Sequence, residues 1–158
     1  MYLSSIQQGI QAAHVISNMF MKYVTISEDY EITADPKRIM LWDWAQNHKT
    51  IVLLNGGYAE TIRNLIQLFD DIENPYPWAD FHEGKDALDG ALTDVGIILP
   101  EKIYEGASVL RSSLVAPQLL MEEGSLCLFY GTDEERRQEY TRYEAKLMGK
   151  LNTFGLAK

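Results

Sequence analysis

Gln7, Gln11, His14 and Asn18 carry side chains that both donate and accept hydrogen bonds, and their spacing is helical. At 100° per residue the four fall within about 60° of one helix face. Amides and an imidazole can line a pocket without the desolvation cost of a full charge, so such a stripe suits the binding of a small polar ligand. A solvated face that carries no charge is the plainer alternative. The surrounding stretch, QQGIQAAHVISNMF, lies within 21 N-terminal residues that hold no Asp, Glu, Lys or Arg. Ile10, Ala13, Ile16, Phe20 and Tyr23 spread over the opposite side, with Met19 at its margin, and that side is expected to be buried.

A second group is Asp80, His82 and Glu83, just before the loop EGKDALDG. An imidazole beside carboxylates at a strand end can act as an acid–base pair or grip a polar ligand. An ordinary acidic surface loop is the alternative. Trp42, Trp44 and Trp78, with Tyr76, either stack on a base or fill the core. Arg38, Lys49 and Lys85 are the cations placed to meet phosphates. Asn55-Gly56-Gly57 matches neither the dinucleotide fingerprint nor the Walker pattern and reads as a turn. His14, His48 and His82 form no metal motif, so neither a metal nor any other cofactor is expected. No GxSxG elbow is present, and Cys127, the single cysteine, sits in an apolar run and reads as core.

The balance of 23 acidic against 14 basic residues gives a net charge of −9. That disfavours nucleic acids, whose affinity comes largely from Lys and Arg neutralising phosphates. No apolar run is long enough to span a bilayer, and the N-terminus lacks the pattern of a signal peptide. A cytoplasmic protein with no membrane partner is the expectation.

The elements that must position these residues follow from periodicity and turn chemistry. Residues 1–5 read as a short strand leading into a helix that runs to about Tyr23. Residues 27–36 form a polar connector, and Asp35-Pro36 opens a short helix as N-cap and first helical position. Residues 50–54 (TIVLL) read as a buried strand with Val52 fully covered. Residues 58–72 form an amphipathic helix with Ile62, Leu65, Ile66 and Phe69 inward. Residues 79–81 and 93–99 read as strands, the second with Ile97 fully covered, and Pro100 stops it. Beyond it, residues 125–130 form another strand, and Thr132 with Glu135 makes a capping box for a last helix. Tyr140, Tyr143, Leu147 and Leu151 form an apolar stripe on that helix, expected to pack on the core or on a second copy of the chain. The order implies an α/β fold, a sheet covered by helices on both faces.

Gln11-Ala12-Ala13-His14 after a first strand resembles the Gln-x-x-His of type-2 peptidyl-tRNA hydrolases. Trp42, HKTIVLL, the amphipathic helix and the Pro-containing turn continue the resemblance. PWADFHE and GALTDVGIILP look like the divergent, mostly bacterial and phage branch. The resemblance covers residues 1–100 and implies a three-layer α/β/α domain with a mixed, mostly four-stranded sheet. Residues 101–158 are then a C-terminal extension containing a helix. If the chain is a hydrolase of that type, His14 and Asp80 match the catalytic pattern and a tRNA or nucleotide is the substrate. Two departures oppose hydrolysis: Gln7 stands where the family has its essential Lys, and Asp80-Phe81-His82-Glu83-Gly84-Lys85 preserves only the Asp of the family's loop.

The expectation is therefore a binder of a small nucleotide-like ligand. Gln7, Gln11, His14, Asn18, His82 and Glu83 would bond to it, and Trp42 or Trp78 would stack on its base. In size and style the chain is similar to oligomeric phage proteins that sequester nucleotide immune signals. Peptidyl-tRNA hydrolysis is the alternative.

Overall fold

The computed structural model describes residues 4–24, 35–112, 118–122, 125–129 and 138–156. They combine helices with small antiparallel sheets and fall into two compact units, Met1–Ile98 with Leu156–Lys158, and Leu99–Gly155.

In the first unit, α1 (Ser5–Tyr23) opens with a capping box. The Gln7 amide N–H donates to Ser4 Oγ at 3.3 Å, and the Ser4 N–H returns a bond to Gln7 Oε1 at 2.9 Å. Ser5 lies inside this helix, so a strand over residues 1–5 is not found; residues 1–3 lie outside the described residues. α2 (Pro36–Asp43) begins as expected, with Asp35 accepting from the Lys37 amide and Pro36 in the first turn. It continues into a π-helical turn, Trp44–His48, closed by Lys49 at φ 56°. α3 (Ala59–Phe69) buries Ile62, Leu65, Leu68 and Phe69. β1 (Trp78–His82) then pairs antiparallel with β2 (Leu92–Ile97) around the one-turn α4 (Lys85–Leu88).

The packing face of α1 differs from the one that periodicity suggests. Its buried stripe is Gln11, Val15 and Met19, while Ile10 and Ala13 are exposed. Gly96 of β2 explains the close approach of this face. A Cβ there would lie 2.8 Å from Val15 Cγ1 and 3.2 Å from Met19 Cε. Val15, Met19, Leu41, Ala79 and Ile98 form the core beneath.

Residues 50–54 do not form a buried strand. The segment makes one isolated bridge, Leu54 with Leu156, and leaves Ile51 and Val52 exposed. Ile97 is half-buried rather than fully covered. Among the described residues, the sheet of this unit has two strands.

The second unit contains α5 (Glu101–Ser112), a helix that Pro100 precedes and that the apolar pattern alone did not reveal. β3 (Gln118–Glu122), β4 (Ser125–Phe129) and β5 (Gln138–Tyr140) form an antiparallel meander with β4 central. α6 (Arg142–Leu151) closes the unit. Its capping box is Thr141 with Glu144; Thr132 and Glu135 lie outside the described residues. Tyr140 therefore belongs to a strand and not to the last helix. Tyr140, Tyr143, Leu147 and Leu151 are all buried within the chain, so this stripe offers no surface to a second copy. None of the described helices is long and apolar enough to cross a membrane.

Candidate functional site

The side chains that converge do so where α1 crosses the β1–β2 hairpin. Gln11 is the centre. Its Nε2 donates to the Glu83 carboxylate, and its Oε1 accepts from the Thr93 hydroxyl at 3.1 Å. A buried amide costs free energy unless both its ends are bonded, and here both are. Thr93 reaches Gln11 because the β1–β2 register slips: Phe81 opposes Asp94 and His82 opposes Leu92, leaving Thr93 as the extra residue of a bulge. Bulges re-aim side chains in this way and are over-represented beside active sites.

One turn further along α1, the His14 ring stacks on Phe81, with centroids 4.4 Å apart and an interplanar angle of 11°. His14 is exposed, so its imidazole presents a supported, accessible surface. Asn18 donates through Nδ2 to the Asp80 backbone carbonyl at 2.8 Å, fixing the helix along the strand. His82 lies with Nδ1 3.0 Å from the Gly90 carbonyl and Nε2 3.2 Å from the Asp80 carboxylate. A carbonyl only accepts, so Nδ1 carries the hydrogen of that contact. The Glu83 amide donates to the Ala91 carbonyl at 2.9 Å, which holds the loop end against the hairpin.

Asp94 joins this group as the cross-strand partner of Phe81. Burial pushes its carboxyl up to about 6, although the Val95 amide, donating at 2.7 Å, favours the ionised form. A buried carboxyl poised near neutrality is a common ingredient of acid–base sites.

The structure thus brings together Gln11, His14 and Glu83 from the expected set, with Asn18 beside them bonded to the Asp80 backbone, whereas the Asp80 and His82 side chains pair with each other at strand positions that alternate with Phe81. It separates the others. Gln7 is engaged in the capping box at the start of α1. Trp78 is buried, tilted against Phe69 at 6.3 Å, and covered by Lys22, whose Nζ lies 3.5 Å from the ring centroid. A tryptophan so enclosed has no face for a base. Trp42 is exposed but packs edge-on against Phe20, about 9 Å along α1 from His14. Arg38 lies on α2, Lys49 ends the π turn, and Lys85 begins α4 close in sequence to Glu83.

Phe81, Thr93 and Asp94 are the site residues that sequence reasoning missed. The signal for the last two was the polar pair inside LTDVGI, which a strand over a hydrophobic core would not carry without a partner. Among the described residues, no group of three or more His, Cys, Asp or Glu is arranged to hold a metal ion. Comparison with known protein families, with curated proteins and with solved structures found no match to this chain.

Proposed function

We propose that the protein binds a small nucleotide-like ligand at this cluster and holds it intact, as a sequestering protein would. The observation that carries this reading is the exposed His14 imidazole stacked on Phe81, next to the Gln11–Glu83–Thr93 network. Stacking on a supported ring suits any base, since every base has a π-face. The carboxylate of Glu83 and the hydroxyl of Thr93 then supply acceptors for ribose hydroxyls or base edges. Lys85 is the nearest cation in sequence for a phosphate. Sequestration of a nucleotide immune signal by a phage protein is the biological setting in which such binding without turnover is useful. The same resemblance carries the finer reading of the fold, in which the β1–β2 hairpin belongs to a three-layer domain around a four-stranded sheet.

A second reading, hydrolysis of a peptidyl-tRNA or related nucleotide ester, is favoured by Asp94, whose carboxyl near 6 suits proton transfer. In that reading Asp94, opposite Phe81, would act with His14, and the Asp80 carboxylate, paired with His82, would not take part. The net charge of −9 and the Gln at position 7 weigh against a tRNA substrate.

Calorimetry against cyclic dinucleotides and ADP-ribose derivatives, followed by chromatography of the recovered ligand, separates the two. Binding with unaltered ligand, weakened at least tenfold in His14→Ala, supports sequestration. A converted product establishes the enzyme instead. Failure of every probe to bind, with His14→Ala folded and indistinguishable from the native protein, removes the binding reading.

A further inference from the structure

The turn Asn55-Gly56-Gly57, which leads into α3, gathers reactive groups around the Asn55 side-chain amide. Of the six asparagines in the chain, Asn55 alone precedes a glycine. Asn18, Asn47 and Asn64 lie within helical turns, Asn74 is buried ahead of Pro75, and Asn152 caps α6. Asn55 is exposed and belongs to no helix or strand. Its Oδ1 accepts from the Gly57 amide at 3.1 Å, closing an Asx turn in which Gly57 holds φ 73°. The ring closed by that bond contains both Asn55 Cγ and the Gly56 nitrogen, so the side chain is folded back over the next peptide. Neither the Gly56 N–H nor Asn55 Nδ2 has an acceptor among the described residues. Gly57 needs to be glycine for its positive φ, whereas Gly56 does not. A Cβ at position 56 would lie 3.6 Å from Ile62 Cγ1, an ordinary contact. Glycine there leaves an uncrowded amide nitrogen beside the Asn55 side-chain carbonyl.

We propose that Asn55 is a site of self-modification, deamidating through a succinimide that its own turn promotes. The Gly56 nitrogen attacks Asn55 Cγ; the N–Cγ bond forms as the carbonyl electron pair moves onto Oδ1. The Gly57 N–H already donates to that oxygen, in the manner of the backbone amides that stabilise tetrahedral intermediates. Collapse breaks the Cγ–Nδ2 bond, and ammonia leaves with the proton lost by the Gly56 nitrogen. Water then opens the five-membered imide at either carbonyl, giving aspartate or an isoaspartyl linkage at position 55. Each event places a negative charge within residues 50–59, which carry none. The isoaspartyl product also lengthens the main chain by one methylene ahead of α3. The turn is separate from the ligand cluster, and the proposal stands whether or not that cluster binds a nucleotide.

Incubation of the full chain in mildly alkaline buffer, followed by tryptic mass spectrometry, tests it. Residues 50–63 form one tryptic peptide, with Asn55 as its single asparagine. That peptide is expected to gain the mass of an NH2-to-OH exchange at least about tenfold faster than any other asparagine-containing peptide. An isoaspartate methyltransferase is expected to label it. Gly56→Ala is expected to slow the conversion by about tenfold with an unchanged circular dichroism spectrum, since the fold has room for the methyl. A synthetic peptide of residues 50–63 is expected to react no faster than the folded chain, because it forms the turn only transiently. A folded chain that reacts more slowly than this peptide overturns the proposal, since the turn then protects Asn55. Equal rates at all asparagines, or a rate untouched by Gly56→Ala, also overturn it. Aspartate formed without isoaspartate means direct hydrolysis and overturns the succinimide route.

Discussion

Gln11 and Glu83 are 72 positions apart in sequence, yet their side chains are hydrogen-bonded to each other. Because the same amide also accepts from Thr93, a single residue of α1 ties together the loop after β1 and the bulge in β2.

Replacing Gln11 by Ala strands Glu83 and Thr93 without that partner and is expected to cost about 1–3 kcal/mol. Urea unfolding measures the loss. Gln11→Glu is expected to be worse at neutral pH than at pH 4, since two carboxylates would then share one site.

Asp94 makes stability fall as pH rises. Its folded carboxyl titrates at about 6 against an ordinary value of 3.8, so the folded state holds the proton more tightly than the unfolded chain. Any stability tied to that proton is complete below about 3.8 and is lost by pH 6 to 7, by up to about 3 kcal/mol. Asp94→Asn is expected to remove this part of the pH dependence and to stabilise the protein at pH 7. Unfolding free energies of both proteins between pH 4 and pH 7.5 check it.

Gly96→Ala tests the close approach of α1 to the hairpin. The added methyl meets Val15 Cγ1 at 2.8 Å in a packed core, which is expected to cost about 1–3 kcal/mol. Gly149, on the exposed side of α6 with nothing within 4 Å of a Cβ, is expected to respond oppositely. Its replacement by Ala should stabilise by about 0.5–1 kcal/mol. Chemical denaturation of the two variants side by side distinguishes the cases.

Glu144 serves the second unit twice. Its Oε2 accepts from the Thr141 amide at 2.7 Å, and its Oε1 lies 2.9 Å from Lys102 Nζ. Thr141→Ala is expected to cost about 1 kcal/mol through the lost cap. Glu144→Ala should cost more, because a buried carboxylate that also joins α6 to α5 is removed. Thermal melts followed at a helical wavelength rank the two.

Much of the local structure was legible in the residues themselves. Asp35-Pro36 opens α2, the strands around Ala79 and Val95 lie close to where alternation and Pro100 place them, and the apolar spacing of residues 62–69 marks α3. These signals act over a few positions, where capping bonds, fixed proline φ and side-chain period constrain the backbone directly. The candidate site was half legible for the same reason. Gln11, His14 and Asn18 share one helical region by spacing alone, and Asp80, His82 and Glu83 share one strand end.

What the tertiary structure decided is which of those groups meet, and which surfaces are covered. A helical wheel cannot tell that Gln11 turns inward while Ile10 turns out. That depends on an amide finding Glu83 and Thr93, and on the missing Cβ of Gly96 admitting Val15 and Met19. Trp78 lost its availability for stacking only through Phe69 and Lys22, and the stripe on α6 only through burial against its own unit. The apolar run at residues 50–54 states that it needs partners but not where they are, because strand pairing is fixed by residues distant in sequence. Periodicity records what a segment would bury; only the packing of distant segments determines what is there to bury it.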